Sequence, residues 1–171
     1  VVPKTISYLD MGKHPIPENI DVVVTASAIS PVRQIESVSI NGKAAFVWDL
    51  STKEALYTKN ADEALPLASI TKLMTALVAY ELVEDDTPIT ISTSAAAEQS
   101  GGTLRPGEVF KVKELADFAL VTSYNSAAYM LSDAVGQLLG EGNGVAQFAT
   151  GMNITAEELG LKSMKFNNAT G

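Results

Sequence analysis

Ser69-Ile70-Thr71-Lys72 is the first place in this sequence where residue types and spacing could do covalent chemistry. On a helix, side chains three apart share a face with Cβ atoms about 5–6 Å apart, so a hydroxyl and an amine placed this way can meet. A lysine amine titrates near 10.4 in water and is a poor base at neutral pH, but burial disfavours its charged form. Leu67, Leu73, Met74 and Leu77 offer that burial. A serine in the first turn of a helix also meets free backbone N–H groups and the positive end of the helix dipole, which favour the oxyanion of an acylation. Taken singly, the same pattern suits a capping serine beside a solvated lysine. No other serine in the sequence has a lysine three residues later, and this one opens the most apolar helical run.

Ser123-Tyr124-Asn125 supplies a second set, a Ser-x-Asn between two helical runs. In an acyl-transfer site a second hydroxyl can relay a proton to the leaving amine, and an asparagine amide can hold the substrate's carbonyl. Ser39-Ile40-Asn41 has the same form in an extended region, so the tripeptide acquires meaning from its order. Ser-x-x-Lys, then Ser-x-Asn, then Lys-Thr-Gly is one constellation of serine acyltransferases.

Other chemistries find little material. His14, the lone histidine, sits in a proline-rich lead-in and gives a histidine-based triad no base. One histidine and no cysteine cannot furnish a typical zinc set, and Glu84-Asp85-Asp86 and Glu157-Glu158 read as solvated helix ends, so no metal and no cofactor are expected. A net charge of -8 argues against a nucleic-acid partner, which needs clustered Lys and Arg. Ile20 to Ile29 is too short to span a bilayer and is interrupted by Asp21, Thr25 and Ser27. With no charged n-region before it, Val1 implies that any export signal has been removed or left off.

The elements that must position these residues follow from pattern. With 171 residues, 46% hydrophobic and 19% charged, one globular domain or a large piece of one is expected. Prolines at 3, 15, 17 and 31 make residues 1–36 an extended lead-in, and residues 37–171 carry the catalytic portion. Ala44 to Leu50 and Ala55 to Tyr57, joined by Ser51-Thr52-Lys53-Glu54, predict a hairpin. Leu67 to Val83 has apolar residues on nearly every face and no internal Gly or Pro, which predicts a centrally buried helix. Thr87 to Ser92 reads as a short strand, Leu104 to Glu108 as a turn, and Val112 to Thr122, Ala127 to Leu139 and Val145 to Leu159 as helices.

The ordered segments around these motifs resemble low-molecular-mass penicillin-binding proteins of the D-Ala-D-Ala carboxypeptidase type. The likeness runs over about residues 40 to 171, through Lys43 to Leu50, Leu56 to Glu63, Leu65 to Leu77, Leu104 to Glu108, Leu120 to Ala128, Met152-Asn153, Glu158 to Leu161 and Phe166 to Gly171. It implies an α/β (α+β) chain of the β-lactamase/transpeptidase-like fold, an antiparallel sheet with a helical subdomain, of which this is the N-terminal portion. It implies Ser69 as the acylated nucleophile, Lys72 as its base, Ser123 as proton relay and Asn125 as the amide that orients substrate. Two departures stand out: the family commonly has Gly in the turn occupied by residues 51–54, and no Lys-Thr-Gly occurs, Lys162-Ser163-Met164 and Ala169-Thr170-Gly171 being near misses.

The function so implied is removal of the terminal D-alanine from peptidoglycan stem peptides ending in D-Ala-D-Ala, through an acyl-enzyme that β-lactams also form, outside the cytoplasm in a bacterial envelope. A class A-like β-lactamase is the alternative on the same fold, but no Glu stands in a Glu-x-x-Leu-Asn setting. A catalytically inactive wall-binding relative is the other. Because the Lys-Thr-Gly strand is missing and a lone hairpin is marginal in water, a second polypeptide carrying that strand is an expected partner. Phe46, Val47 and Trp48 should face solvent where nothing covers them.

Overall fold

A computed structural model describes residues 39–98 and 104–171. The expected lead-in over residues 1–36 lies outside the described residues. The chain divides into two compact units, Val1–Ala64 and Leu65–Gly171.

In the first unit β1 (Ala45–Asp49) and β2 (Glu54–Lys59) form the antiparallel hairpin, with a register shift between Val47 and Trp48. The turn forms without glycine because Asp49 accepts hydrogen bonds from the Ser51 and Thr52 N–H groups at 2.8 and 3.2 Å, and Lys53 takes φ 56°. Those backbone donors hold the Asp49 carboxyl below its ordinary value. Phe46 and Trp48 stack at 5.9 Å, and both are exposed together with Val47, as expected.

The second unit is helical. A 3-10 turn, Ala68–Ile70, leads into α1 (Thr71–Leu82), which ends where Val83 becomes extended. β3 (Pro88–Thr90) pairs antiparallel with β4 (Val109–Lys111), with α2 (Thr93–Glu98) between them in sequence. Pro88 starts its strand, where its missing N–H costs least. Gly107, at φ 84°, makes the Pro-Gly turn before β4. α3 (Val112–Thr122) then occupies its expected span, its first turn secured by the Glu114 carboxylate on the Lys111 N–H at 2.9 Å. α4 (Asn125–Gln137) and α5 (Gly144–Glu158) complete the bundle, α5 being capped by Asn143 on the Ala146 N–H.

Leu115, Ala116 and Ala119 of α3, Ala127, Met130, Leu131 and Val135 of α4, and Phe148 and Met152 of α5 fill the core. α4 and α5 touch backbone to backbone: a Cβ on Gly136 would run into the Gly144 carbonyl. α1 is not apolar and buried all round, as its composition suggested. Leu73 is 63% exposed and Leu77 is exposed too, whereas Thr71, Lys72 and Thr75 are buried beside Met74, Val78 and Ala79. Three polar side chains face inward, and buried polar groups persist only with partners. α4 also begins two residues before the expected Ala127. Ser123 makes the break in a single left-handed residue and Tyr124 in an extended one, so Asn125 already lies inside the helix.

Candidate active site

The 3-10 turn presents Ser69 at the surface, preceded by Ala68 in the left-handed region at φ 47°. Non-glycine residues pay of order 1–3 kcal/mol for such backbone, and they concentrate at functional sites. Thr71 N–H closes the turn on the Ala68 and Ser69 carbonyls. One helical step further on, Lys72 folds back along the helix, and its Nζ donates to Ser69 Oγ at 3.0 Å.

Lys72 is 2% exposed. Burial pushes its pKa down from the ordinary amine value. The burial does not come from Leu73 and Leu77, which point to solvent; Met74 is buried with Lys72 on the inner side of α1. A second acceptor lies inside: Nζ also donates to the Thr170 carbonyl at 3.0 Å.

Ser123 enters from the break between α3 and α4. Its φ of 56° and ψ of 30° end α3, and its Oγ donates to Ser69 Oγ at 2.8 Å. Ser69, Lys72 and Ser123 therefore form one hydrogen-bonded chain, with Ser69 Oγ in the middle. Asn125, the first residue of α4, is exposed and stands outside that chain. A serine hydroxyl flanked by a desolvated amine and a second hydroxyl can be deprotonated and can attack an acyl carbon, which is nucleophilic catalysis with the base supplied by its own helix.

Sequence reasoning missed the inner wall of the site, residues 166–171. Their contribution is backbone carbonyls, which leave no side-chain signature: Ala169 accepts from Thr75 Oγ1 at 2.8 Å and Thr170 from Lys72. The available signal was Asn168 and Gly171, turn-forming residues flanking Thr170. Asn153 of α5 clamps the start of this segment through the Phe166 carbonyl and N–H at 2.7 and 2.9 Å.

A separate cleft of about 250 Å³, lined by Val83, Ile89, Val112 and Leu138 with Asp133 held by Ser92 and Gln137, contains none of these residues. Among the described residues, no group of three or more His, Cys, Asp or Glu could hold a metal ion.

Residues 30–171 match a family described as D-alanyl-D-alanine carboxypeptidase. The chain is 33% identical over 146 residues to the D-alanyl-D-alanine carboxypeptidase DacF of Bacillus subtilis, covering 81% of this chain and 36% of that protein. It is 32% identical over 130 residues to a D-alanyl-D-alanine endopeptidase of Pseudomonas aeruginosa, covering 74% and 40%. Among solved structures, a variant of the Streptomyces K15 DD-transpeptidase superposes with a TM-score of 0.70 at 27% identity, over 79% of this chain and 55% of that one. Penicillin-binding protein D2 of Listeria monocytogenes, in its ampicillin-bound form, does so with a TM-score of 0.59 at 30% identity, over 79% and 54%. The chain thus spans well under half the length of the first two relatives.

Proposed function

The chain belongs to the D-alanyl-D-alanine carboxypeptidase family, and from that premise we propose that it carries the acylating half of a serine active site that removes the terminal D-alanine from peptidoglycan stem peptides. Ser69 is the nucleophile. Its hydroxyl proton passes to the neutral Lys72 amine as Oγ bonds to the carbonyl carbon of the penultimate D-alanine. The tetrahedral intermediate collapses by breaking the C–N bond, and the leaving nitrogen takes the proton from the Lys72 ammonium by way of the Ser123 hydroxyl. Water then hydrolyses the ester and frees Ser69. Asn125 is assigned to the substrate's amide, from its exposed place at the head of α4.

The observation that carries this reading is the buried Lys72 amine, its pKa lowered by burial, within hydrogen-bond distance of a Ser69 oxygen that also receives Ser123. β-Lactams, as mimics of the D-Ala-D-Ala end, acylate the same oxygen, and the ampicillin-bound relative supports that part. Such a substrate places the protein outside the cytoplasm, in the cell envelope; among the described residues no helix is long and apolar enough to cross a membrane.

Incubation of the intact protein with a fluorescent penicillin, followed by peptide mapping, tests the reading. A stable adduct on Ser69 is expected. Rapid turnover without an accumulating adduct would make the site a β-lactamase, and an adduct on another serine would overturn the assignment.

A further inference from the structure

Residues 166–171 reach the acylating pair only through backbone atoms, and the side chain that fixes those atoms is Asn168. Its Oδ1 accepts three hydrogen bonds: from the Thr170 N–H at 3.0 Å, the Thr170 hydroxyl at 3.1 Å and the Gly171 N–H at 2.7 Å. The Gly171 N–H and the Thr170 carbonyl belong to one planar trans peptide, in which they point in opposite directions. Anchoring the N–H on Asn168 therefore aims the carbonyl the other way, where it meets Lys72 Nζ at 3.0 Å.

That aim matters for a base. A neutral amine has two N–H bonds and one lone pair, and only the lone pair can take the Ser69 proton. With one N–H committed to the Thr170 carbonyl, the rotations left to Nζ narrow to those in which either the second N–H or the lone pair faces Ser69 Oγ, 3.0 Å away, and the second of these is the arrangement that can take the Ser69 proton. Released from that carbonyl, the amine would spread over rotamers, and the productive one would be a fraction of the population. No carboxylate is ion-paired with Lys72 among the described residues, so nothing else of opposite charge orients it.

We propose that Asn168 is a positioning residue for acylation: it holds the 170–171 peptide so that the Thr170 carbonyl orients the Lys72 amine toward Ser69. The inference rests on the reaction proposed above. Asn153 anchors the near end of the same segment and Thr75 its middle, through Phe166 and Ala169, which leaves the orientation of the last peptide to Asn168.

The test combines two measurements on the intact protein: the rate constant of penicillin acylation across pH, and the Lys72 ε-carbon resonance in lysine-labelled material, assigned with Lys72→Met. Asn168→Ala should lower the acylation rate constant about 10- to 100-fold at every pH, as misplacement of a catalytic group does, with the non-covalent affinity for penicillin unchanged and the Lys72 resonance moved. Asn168→Asp keeps an oxygen acceptor in place and should recover most of the rate at high pH. Its acid limb should move upward, because the added carboxylate favours the ammonium form of Lys72. A wild-type rate and an unmoved resonance in Asn168→Ala would overturn the proposal. So would a rate that falls only in proportion to unfolded protein, or an Asn168→Asp variant as slow as Asn168→Ala throughout. If penicillin does not attach to Ser69 in the wild type, the reaction assignment fails, and the Lys72 resonance alone decides the positioning role.

Discussion

Thr170 and Lys72 stand 98 residues apart in the chain, yet the carbonyl of one lies 3.0 Å from the amine of the other. A buried lysine that donates to a carbonyl and a hydroxyl, and pairs with no carboxylate among the described residues, is held where its charge is penalised. That arrangement suits a base and is poor at stabilising a fold.

Ser69→Ala should abolish covalent penicillin labelling and leave the thermal midpoint within a few degrees of the wild type. Ser69 is exposed on a turn, so the lost hydroxyl removes the proposed nucleophile and little packing. Mass spectrometry of the treated protein beside a melting curve checks both halves. Residual labelling would identify a different nucleophile.

Lys72 carries a pH prediction with a definite sign. Burial lowers its folded-state pKa, so between that value and about 10.4 the unfolded chain binds more protons than the folded one. Stability should therefore rise with pH across that window, and the desolvation penalty should be present in full below it. Lys72→Met lacks the titrating group and should lose that slope; denaturant titrations at several pH values compare the two. If Lys72 is the base, the lower edge of that window, its folded-state pKa, should also set the acid limb of acylation, since only the neutral amine accepts a proton. Lys72→Arg should fail at every accessible pH because a guanidinium stays charged. Near-normal acylation by Lys72→Arg would show that the amine is not the base.

The legibility of the sequence divides along physical lines. Hairpin, strand and α3 positions follow from local pattern, because turn chemistry and periodicity act over a few residues. Ser69 and Lys72 were legible because their pairing is itself local, three residues within one helical turn. The contact between Ser69 and Ser123 spans 54 residues, and spacing could only propose it. The inward face of α1 is not legible in the sequence, since Thr71, Lys72 and Thr75 are polar and the partners of Lys72 and Thr75 are carbonyls of residues 170 and 169, which no hydropathy pattern encodes. The sequence suggests a longer connection at Ser123 than the structure has, because a left-handed serine does not announce itself as glycine does.

Ser123 combines two roles that substitution can separate. Its hydroxyl reaches Ser69, and its backbone takes a conformation that costs a non-glycine residue about 1–2 kcal/mol. Ser123→Ala removes the hydroxyl and keeps the strain; Ser123→Gly removes both. Both variants should acylate about 10²- to 10⁴-fold more slowly, the range of a lost proton-transfer group. Ser123→Gly should nonetheless be the more stable of the two by about 1 kcal/mol. Equal stabilities by chemical denaturation would mean that the turn is not strained at this residue.

Gly171 offers the sharpest test of the wall behind Ser69, because another glycine in the same unit serves as its control. Gly171 and Gly160 both have positive φ, 80° and 73°. A Cβ on Gly160 would meet nothing within 4 Å, so Gly160→Ala should cost only its backbone strain, about 1–2 kcal/mol, and leave acylation unchanged. A Cβ on Gly171 would strike the carbonyl of Ala68, the residue before Ser69, and lie 3.0 Å from Thr71 Oγ1. That collision is with backbone and cannot be relieved by a rotamer change; the 170–171 peptide or the turn at Ala68–Ile70 must move. Gly171→Ala should therefore lose more stability than Gly160→Ala, and its acylation rate should fall at least tenfold, since displacing either segment separates Ser69 from Lys72. Melting curves and penicillin acylation rates for the pair decide it. Equal stability losses, or a Gly171→Ala variant that acylates as fast as Gly160→Ala, would show that the close approach of Gly171 to Ala68 does not hold Ser69 in place.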